Sequence, residues 1–431
     1  MKLAIIGAGW AGMAAAVTAT QQGHQVHVLE ATRSLGGRAR ALRTTLPDGR
    51  PVTLDNGQHI LIGAYHQTLA LMQQVGIDLA SAMHRQPLHL PFPDGSGLRL
   101  PDWPAPLDAV AGILGMRAWS WHARLSLLRW AWRWQRAGFA CPADWTVADA
   151  CQSLPAEVRQ ALIDPLCISA LNTPVERASA QVFLHVLQAA LFAGNGGSHL
   201  LLPRCDLGEL FPAQAARWLH AHGGQIRLGA RAHRLLRLDS QWQVDGEPFD
   251  AVILATGASD AARLVTRCAD APSSALTAGL QAWSASAAAL SHEAIATVYA
   301  WAETAQLPTP LLALRHSALE PAQFAFDKGQ LGSAAGLLAF VVSACELPRA
   351  QVEAAVLAQA HRQLELTLQP VMTVVEKRAT FACTPLLNRP PSRIAPGLVA
   401  CGDYVAGPYP ATLEGAVRSG TQAVHRLDLE I

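Results

Sequence analysis

Acidic residues are missing from one long stretch of this chain: none occurs between Asp108 and Asp144. Charge is scarce throughout, at 15% of residues, and nearly balanced at a formal +1, which excludes the strong basic excess of a nucleic-acid binder. The eight cysteines (141, 151, 167, 205, 268, 345, 383 and 401) include no C-x-x-C pair. That argues against a disulfide framework or a metal knuckle, and suits a reducing cytosol. None of the sixteen histidines forms H-x-x-x-H or H-E-x-x-H, so no metal site is expected, and no Gly-x-Ser-x-Gly points to a serine hydrolase. Long uninterrupted apolar runs are also lacking. The nearest, around Ala275–Ala302, is punctuated by Ser, Gln, His and Glu, so no transmembrane span is expected. Lys2 and the apolar run after it imitate a signal peptide, but glycines interrupt that run and have another use.

What is abundant is apolar material, 51% of 431 residues, enough for two cores. No internal repeat or low-complexity block is visible. The chain opens on Leu3-Ala4-Ile5-Ile6, a buried parallel strand by composition, followed by Gly7-Ala8-Gly9-Trp10-Ala11-Gly12 and the helix-forming segment Met13–Gln22. A strand, G-x-G-x-x-G and a helix in succession form a dinucleotide fingerprint. Gly7 serves the tight turn, Gly9 the approach of a pyrophosphate, and Gly12 the close packing of helix on strand. The helix N-terminus offers free N–H groups and partial positive charge to phosphates. A second strand, Gln25–Leu29, ends in Glu30, where a carboxylate accepts hydrogen bonds from an adenosine ribose.

Further along, Gly36-Gly37-Arg38 pairs permissive backbone with a phosphate-binding side chain. Val52–Asp55 reads as a strand running into the polar turn Asn56-Gly57-Gln58-His59, whose hydrogen-bonding groups have no evident local partners. Gly224–Leu228, Ala230–Leu238 and Trp242–Val244 read as strands of a meander, and Phe249–Gly257 as a buried parallel strand ending in a turn. Gly397–Asp403 is another strand ending in Gly402-Asp403, and Ala411–Gly420 opens a last helix.

Together these pieces resemble the FAD-binding half of the amine oxidase and phytoene desaturase superfamily of flavoproteins. The resemblance implies FAD and an α/β fold: a Rossmann-like FAD-binding domain (1–64, 200–260 and 394–431) with a discontinuous α+β substrate domain (65–199 and 261–393). It implies that Ala232 supplies a backbone contact to the adenine and that Gly257 lies near the pyrophosphate. It implies Asp403 at the ribityl or phosphate end, the helix start at Thr412-Leu413 beneath the isoalloxazine ring, and Asn56-Gly57-Gln58-His59 near the flavin. Physics concurs on the helix, because its N-terminus would stabilise the negative charge of a reduced ring. Cys401, on a strand, reads as a buried thiol.

The acid-free stretch has its own character. Ile113–Phe139 holds five tryptophans and five arginines, and no Gly or Pro interrupts 116–137, so a helix is expected there. At helical spacing one stripe contains Met116, Trp119, Leu127, Trp130 and Trp134, and another Trp121, Leu125, Leu128 and Trp132, flanked by Arg117, Arg124, Arg129, Arg133 and Arg136. The first stripe is expected to pack on the protein and the second to dip into an anionic membrane surface, with the arginines reaching head groups. The alternative is a doubly buried helix whose arginines pair with acids elsewhere. The corresponding location is cytoplasmic, peripheral on the inner face of the membrane.

Within the superfamily, amine oxidases carry an aromatic residue just before the helix under the flavin. Thr412 stands there, which counts against an amine substrate. The segments Asp55–His59 into Gly63–Leu69, Leu171-Asn172-Thr173-Pro174, and Tyr409–Ala416 resemble the hydroxysqualene dehydroxylases of hopanoid pathways. That resemblance implies a long isoprenoid substrate, a reductant for FAD, and reductive loss of a hydroxyl to give squalene. Ionisation of the C–O bond leaves a delocalised cation that a dry apolar tunnel protects. An acid must assist the leaving hydroxide, and His59 and Glu414 are the candidates by position. A carotenoid-type desaturase, running hydride the other way, is the alternative on the same features. A flavin-free prenyl-binding escort protein is a third, opposed by the complete set of Gly7, Gly9, Gly12, Glu30 and Asp403.

Overall fold

A computed structural model describes residues 1–192, 194–238, 241–269 and 277–428. Residues 275 and 276, which begin the Ala-rich run, lie outside the described residues. A six-stranded sheet is built from both ends of the chain and its middle: β1 (Lys2–Ile6), β2 (Gln25–Glu30), β3 (Gln225–Leu228), β4 (Ala251–Leu254), β5 (Arg393–Ala395) and β6 (Leu398–Ala400). The order is β3-β2-β1-β4-β6-β5, parallel except for the edge strand β5. β1 and β4 are almost wholly buried, as a central parallel sheet covered on both faces requires. Helix α1 (Trp10–Gln21) follows β1 directly. Its neighbour is the last helix, here α4 (Leu413–Asp428).

One strand departs from expectation. Gln225–Leu228 does not join the meander but pairs in parallel with β2. Two backbone bonds hold the chain there as it leaves the sheet, Ala230 N–H to Glu30 O and Gly229 N–H to Thr32 O, both 2.8 Å. The antiparallel meander begins later, as 235–238, 241–244 and 247–249. Val52–Asp55 forms a hairpin strand (Pro51–Asp55) against Ala41–Thr45.

A second sheet of five antiparallel strands runs in the order 311–313, 324–327, 337–343, 292–301, 369–381. One face is covered by the helix Arg349–Leu364 through Val352, Val356 and Ala360. Its other face turns Ile295, Phe324, Phe326, Val341 and Phe381 towards the cavity described below. Short helices from residues 107 to 192 close that cavity from the opposite side. Among them are α2 (Leu107–Leu114) and α3 (Trp121–Arg136).

The expected single helix over 116–137 is therefore shorter. Gly115 ends α2, and Ser120 starts α3 by accepting a hydrogen bond from Ala123 N–H at 3.1 Å. Met116 and Trp119 sit in the intervening turn, still buried. Among the described residues, no helix is long and apolar enough to cross a membrane. All eight cysteines are unpaired, and Cys401 is a core thiol that burial pushes up to about 12.

Candidate active site

The carboxyl ends of β1, β2, β4 and β6 meet the start of α1 and α4 at one crevice, where an open parallel sheet binds its ligands. Gly7 has φ +113°, and a Cβ there would lie 2.6 Å from the Ala255 carbonyl oxygen; on Gly12 it would lie 1.9 Å from the Gly7 carbonyl oxygen. These two glycines are required by packing of the turn. Gly9 is different. It lies closely beside Gly37: an added Cβ on Gly9 would meet Gly37 Cα at 3.9 Å, and one on Gly37 would meet Gly9 Cα at 3.3 Å, so side chains at this pair would fill the space between the turn and the cavity. That space is the cradle.

Gly7, Gly9, Trp10, Ala11, Glu30, Gly36, Gly37, Arg38, Asn56, Gly57, Gln58, Ala232, Gly257, Gly402, Asp403, Thr412 and Leu413 all line one cavity of about 760 Å³. Of the sequence-derived cofactor residues only Gly12 stands outside it, beneath the turn. Glu30 accepts hydrogen bonds from Ala8 N–H (2.8 Å) and from the Thr32 amide and hydroxyl (2.8 and 2.9 Å), which fix its carboxylate at the cavity wall. Thr412 accepts from Gly415 N–H at 2.9 Å and so caps α4, whose free amides point at the cavity.

Arg38 bonds to Asp403 and donates to the Ala379 carbonyl at 2.7 Å. Residues from opposite ends of the chain thus form one ion pair, and Asp403 holds the guanidinium firmly protonated. The partners of the Asp55–His59 turn prove to be distant. Tyr299 Oη donates to the Asp55 carbonyl (2.7 Å) and accepts from Asp55 N–H (3.1 Å) and Gln58 Nε2 (2.6 Å). Lys328 Nζ donates to Gln58 Oε1 at 3.3 Å and lies 3.6 Å from the Asp55 carboxylate, which also accepts from Leu207 N–H at 2.7 Å. Burial pushes the Asp55 carboxyl up, with Lys328 opposing it. Sequence reasoning missed Tyr299 and Lys328. The only signal was a polar residue within or just after an otherwise apolar strand.

The two proposed acids separate. His59 lines the cavity, where burial first, and then the Arg38 charge, push its imidazole down to about 4. Its neutral form is therefore favoured near pH 7. Glu414 is a correction. Its carboxylate is fully buried behind the cavity wall, accepting from Thr68 N–H (2.9 Å), Thr68 Oγ1 (2.7 Å) and Gln67 N–H (3.2 Å), with Arg418 at 3.6 Å. It ties α4 to the helix His66–Gln74 and has no access to a reacting atom.

From this cradle the cavity continues into an apolar chamber. Between residues 88 and 200 its lining contains no charged side chain, and only Ser169, Asn172 and Ser198 are polar. Several polar atoms at the cradle are buried without a partner among the described residues, notably Trp10 Nε1, Asn56 Nδ2 and Tyr404 Oη. Together with the Gly9–Gly37 pair, they fit a bound polar group at that end and an apolar one at the other.

The crevice lies where an open parallel sheet binds its ligands, and the chain belongs to the flavin containing amine oxidoreductases, whose family model matches residues 10–428, which makes it an oxidoreductase. It is similar to hydroxysqualene dehydroxylase of Sinorhizobium fredii (26% identity, covering 97% of this chain and 96% of the relative) and of Rhodopseudomonas palustris (27%, covering 97% and 96%). A solved oxidoreductase from Methanosarcina mazei shares the fold, with a TM-score of 0.73, 16% identity and coverage of 99% of this chain and 100% of that one.

Proposed function

We propose that the protein binds FAD and uses it to convert hydroxysqualene into squalene, replacing the hydroxyl by hydrogen and releasing water. The observation that carries this reading is a single cavity that joins the glycine-rich, Glu30-anchored cradle to a chamber free of charge from residue 88 to 200. Likeness to hydroxysqualene dehydroxylases over nearly the whole chain supports the choice of substrate.

Bound in its fully reduced form, FAD would supply both the hydride that replaces the hydroxyl and the proton with which the departing hydroxide becomes water. The chain does the rest. Glu30 stands ready for the ribose, and the amides of Gly9 to Gly12 and the Gly36-Gly37 turn surround the place for the pyrophosphate. Arg38 and Asp403 close the cradle, and the start of α4 offers its positive end to the ring. The chamber, walled by Trp130, Phe139, Phe192 and aliphatic side chains, excludes water from the cation left when the C–O bond breaks. The neutral imidazole of His59 can donate a hydrogen bond to the departing oxygen without adding charge to an already cationic site. Glu414 takes no part. The position just before α4, where the resemblance implies an aromatic residue for an amine substrate, is held by Thr412, which caps the helix instead.

The test is anaerobic incubation of the flavin-loaded protein with hydroxysqualene and a flavin reductant, followed by extraction and product analysis. Squalene formation is expected. Desaturation of phytoene or squalene instead would make the enzyme a carotenoid-type desaturase. A colourless protein unable to take up FAD would leave a prenyl-binding escort.

A further inference from the structure

We propose that α2 and the outer side of α3 dock on an anionic lipid bilayer, and that the apolar substrate enters the chamber through this face. The docking stands on its own observations; the entry route rests on the proposed function.

α3 is divided lengthwise. Ala123, Leu127, Trp130 and Trp134 are buried, and Trp130 Nε1 donates to the Ala150 carbonyl at 2.8 Å. On the other side Trp121 is 64% exposed, Leu125 43% and Trp132 58%. The neighbouring segment adds Trp103 at 56% and Leu107 at 59%, with Val110 and Leu114 also exposed along α2. Large apolar side chains concentrated on one surface mark an interaction site, and exposed tryptophans suit the boundary between water and hydrocarbon.

Charge selects the occupant. Arg124 joins the two helices, donating to the Leu114 carbonyl at 3.0 Å with its guanidinium 4.6 Å over the Trp121 ring. Arg136 lies 4.7 Å over Trp132. Arg117, Arg129, Arg133 and Arg136 are exposed, and among the described residues none of them makes an ion pair. The nearest acids along the chain leave these arginines unpaired: Asp108 is buried, accepting from Ala109 N–H (2.7 Å) and the Ser198 hydroxyl (3.3 Å), and Asp144, exposed beyond the end of α3, forms no ion pair with them among the described residues. A rim of free guanidiniums around exposed tryptophan and leucine matches phosphate head groups above acyl chains. The same two helices are also the chamber's wall, because Ile113, Leu127, Trp130 and Ala131 line it from inside. One layer of helix therefore separates the proposed lipid from the cavity.

Co-sedimentation of the full flavin-loaded chain with vesicles tests the docking. Vesicles containing phosphatidylglycerol should carry it down, those of pure phosphatidylcholine should not, and added salt should weaken binding. R129E/R133E/R136E should bind the anionic vesicles roughly a hundredfold more weakly. W121S/W132S should also lose binding while keeping its melting temperature and flavin. Indifference of the native protein to anionic vesicles overturns the docking, as does undiminished binding by both variants, or a lipid-free dimer that buries Trp121 and Trp132 without vesicle binding. For the entry route, W121S/W132S should slow turnover of vesicle-embedded hydroxysqualene and not of detergent-dispersed substrate. Equal rates in both presentations overturn the route. Vesicle binding with no turnover of hydroxysqualene by the native protein upholds the docking and overturns the functional reading.

Discussion

Glu414 and His59 sit only a few residues from the same crevice in sequence terms, yet burial and partners give them opposite characters. Glu414 accepts three hydrogen bonds and faces Arg418 in a fully buried site. Glu414→Gln turns an amide donor toward groups that are themselves donors. It should lower unfolding free energy by about 3 kcal/mol, read by denaturant titration. The flavin-loaded variant should keep kcat within about twofold, since no transition-state contact is removed. His59 predicts a pH effect. Its folded pKa, about 4, lies below the ordinary value of 6.5, so between these the unfolded chain binds the extra proton. Stability should fall as pH drops through that window, and His59→Gln should flatten the fall, measured as urea midpoints. The resemblance implies His59, Arg38 and Asp403 around one flavin, but spacing alone does not bring Asp403 to His59, hundreds of residues earlier in the chain.

At the scale of elements, periodicity and turn chemistry were the legible signals. β1, α1, β2 and the last helix follow from apolar runs and glycine placement; of the two stripes over 116–134 the first is buried, while the second is exposed at Trp121, Leu125 and Trp132 but half-buried against the core at Leu128. The break at Gly115–Ser120 was not legible from the absence of Gly and Pro after 116. It depends on a hydroxyl that caps the next helix rather than continuing the previous one. Ser120→Ala should cost about 1 kcal/mol, seen as a lower melting temperature. Likewise, Gln225–Leu228 alternates no differently from a meander strand, and only an open sheet edge beside β2 decides its place. Gly12→Ala should cost about 3 kcal/mol or more and strip flavin, because its new methyl would meet backbone rather than a movable side chain.

At the scale of the molecule, the sequence indicates greasiness but not shape. The chamber is assembled from the hairpin at 89–99, the helices between residues 107 and 192 and one face of the second sheet, and no spacing along the chain shows that these surround a single cavity. Its use is nonetheless testable. Ala170→Trp and Ala190→Trp place bulk in the uncharged part of the lining, between residues 88 and 200. Each should retain flavin absorbance while abolishing turnover of a long polyprene, measured by product extraction; loss of flavin along with activity would mean that cradle and chamber are not separable parts.

The Arg38–Asp403 bond also has a bearing on biosynthesis. A ribosome delivers the glycine turn hundreds of residues ahead of the strand and helix, 393–428, that complete its opposite wall. A nascent chain that stops short of that segment therefore holds only half a binding site, and loading of a flavin has to wait for the segment to emerge and fold. Chains stalled before residue 393 should emerge colourless however much flavin the translation mixture contains.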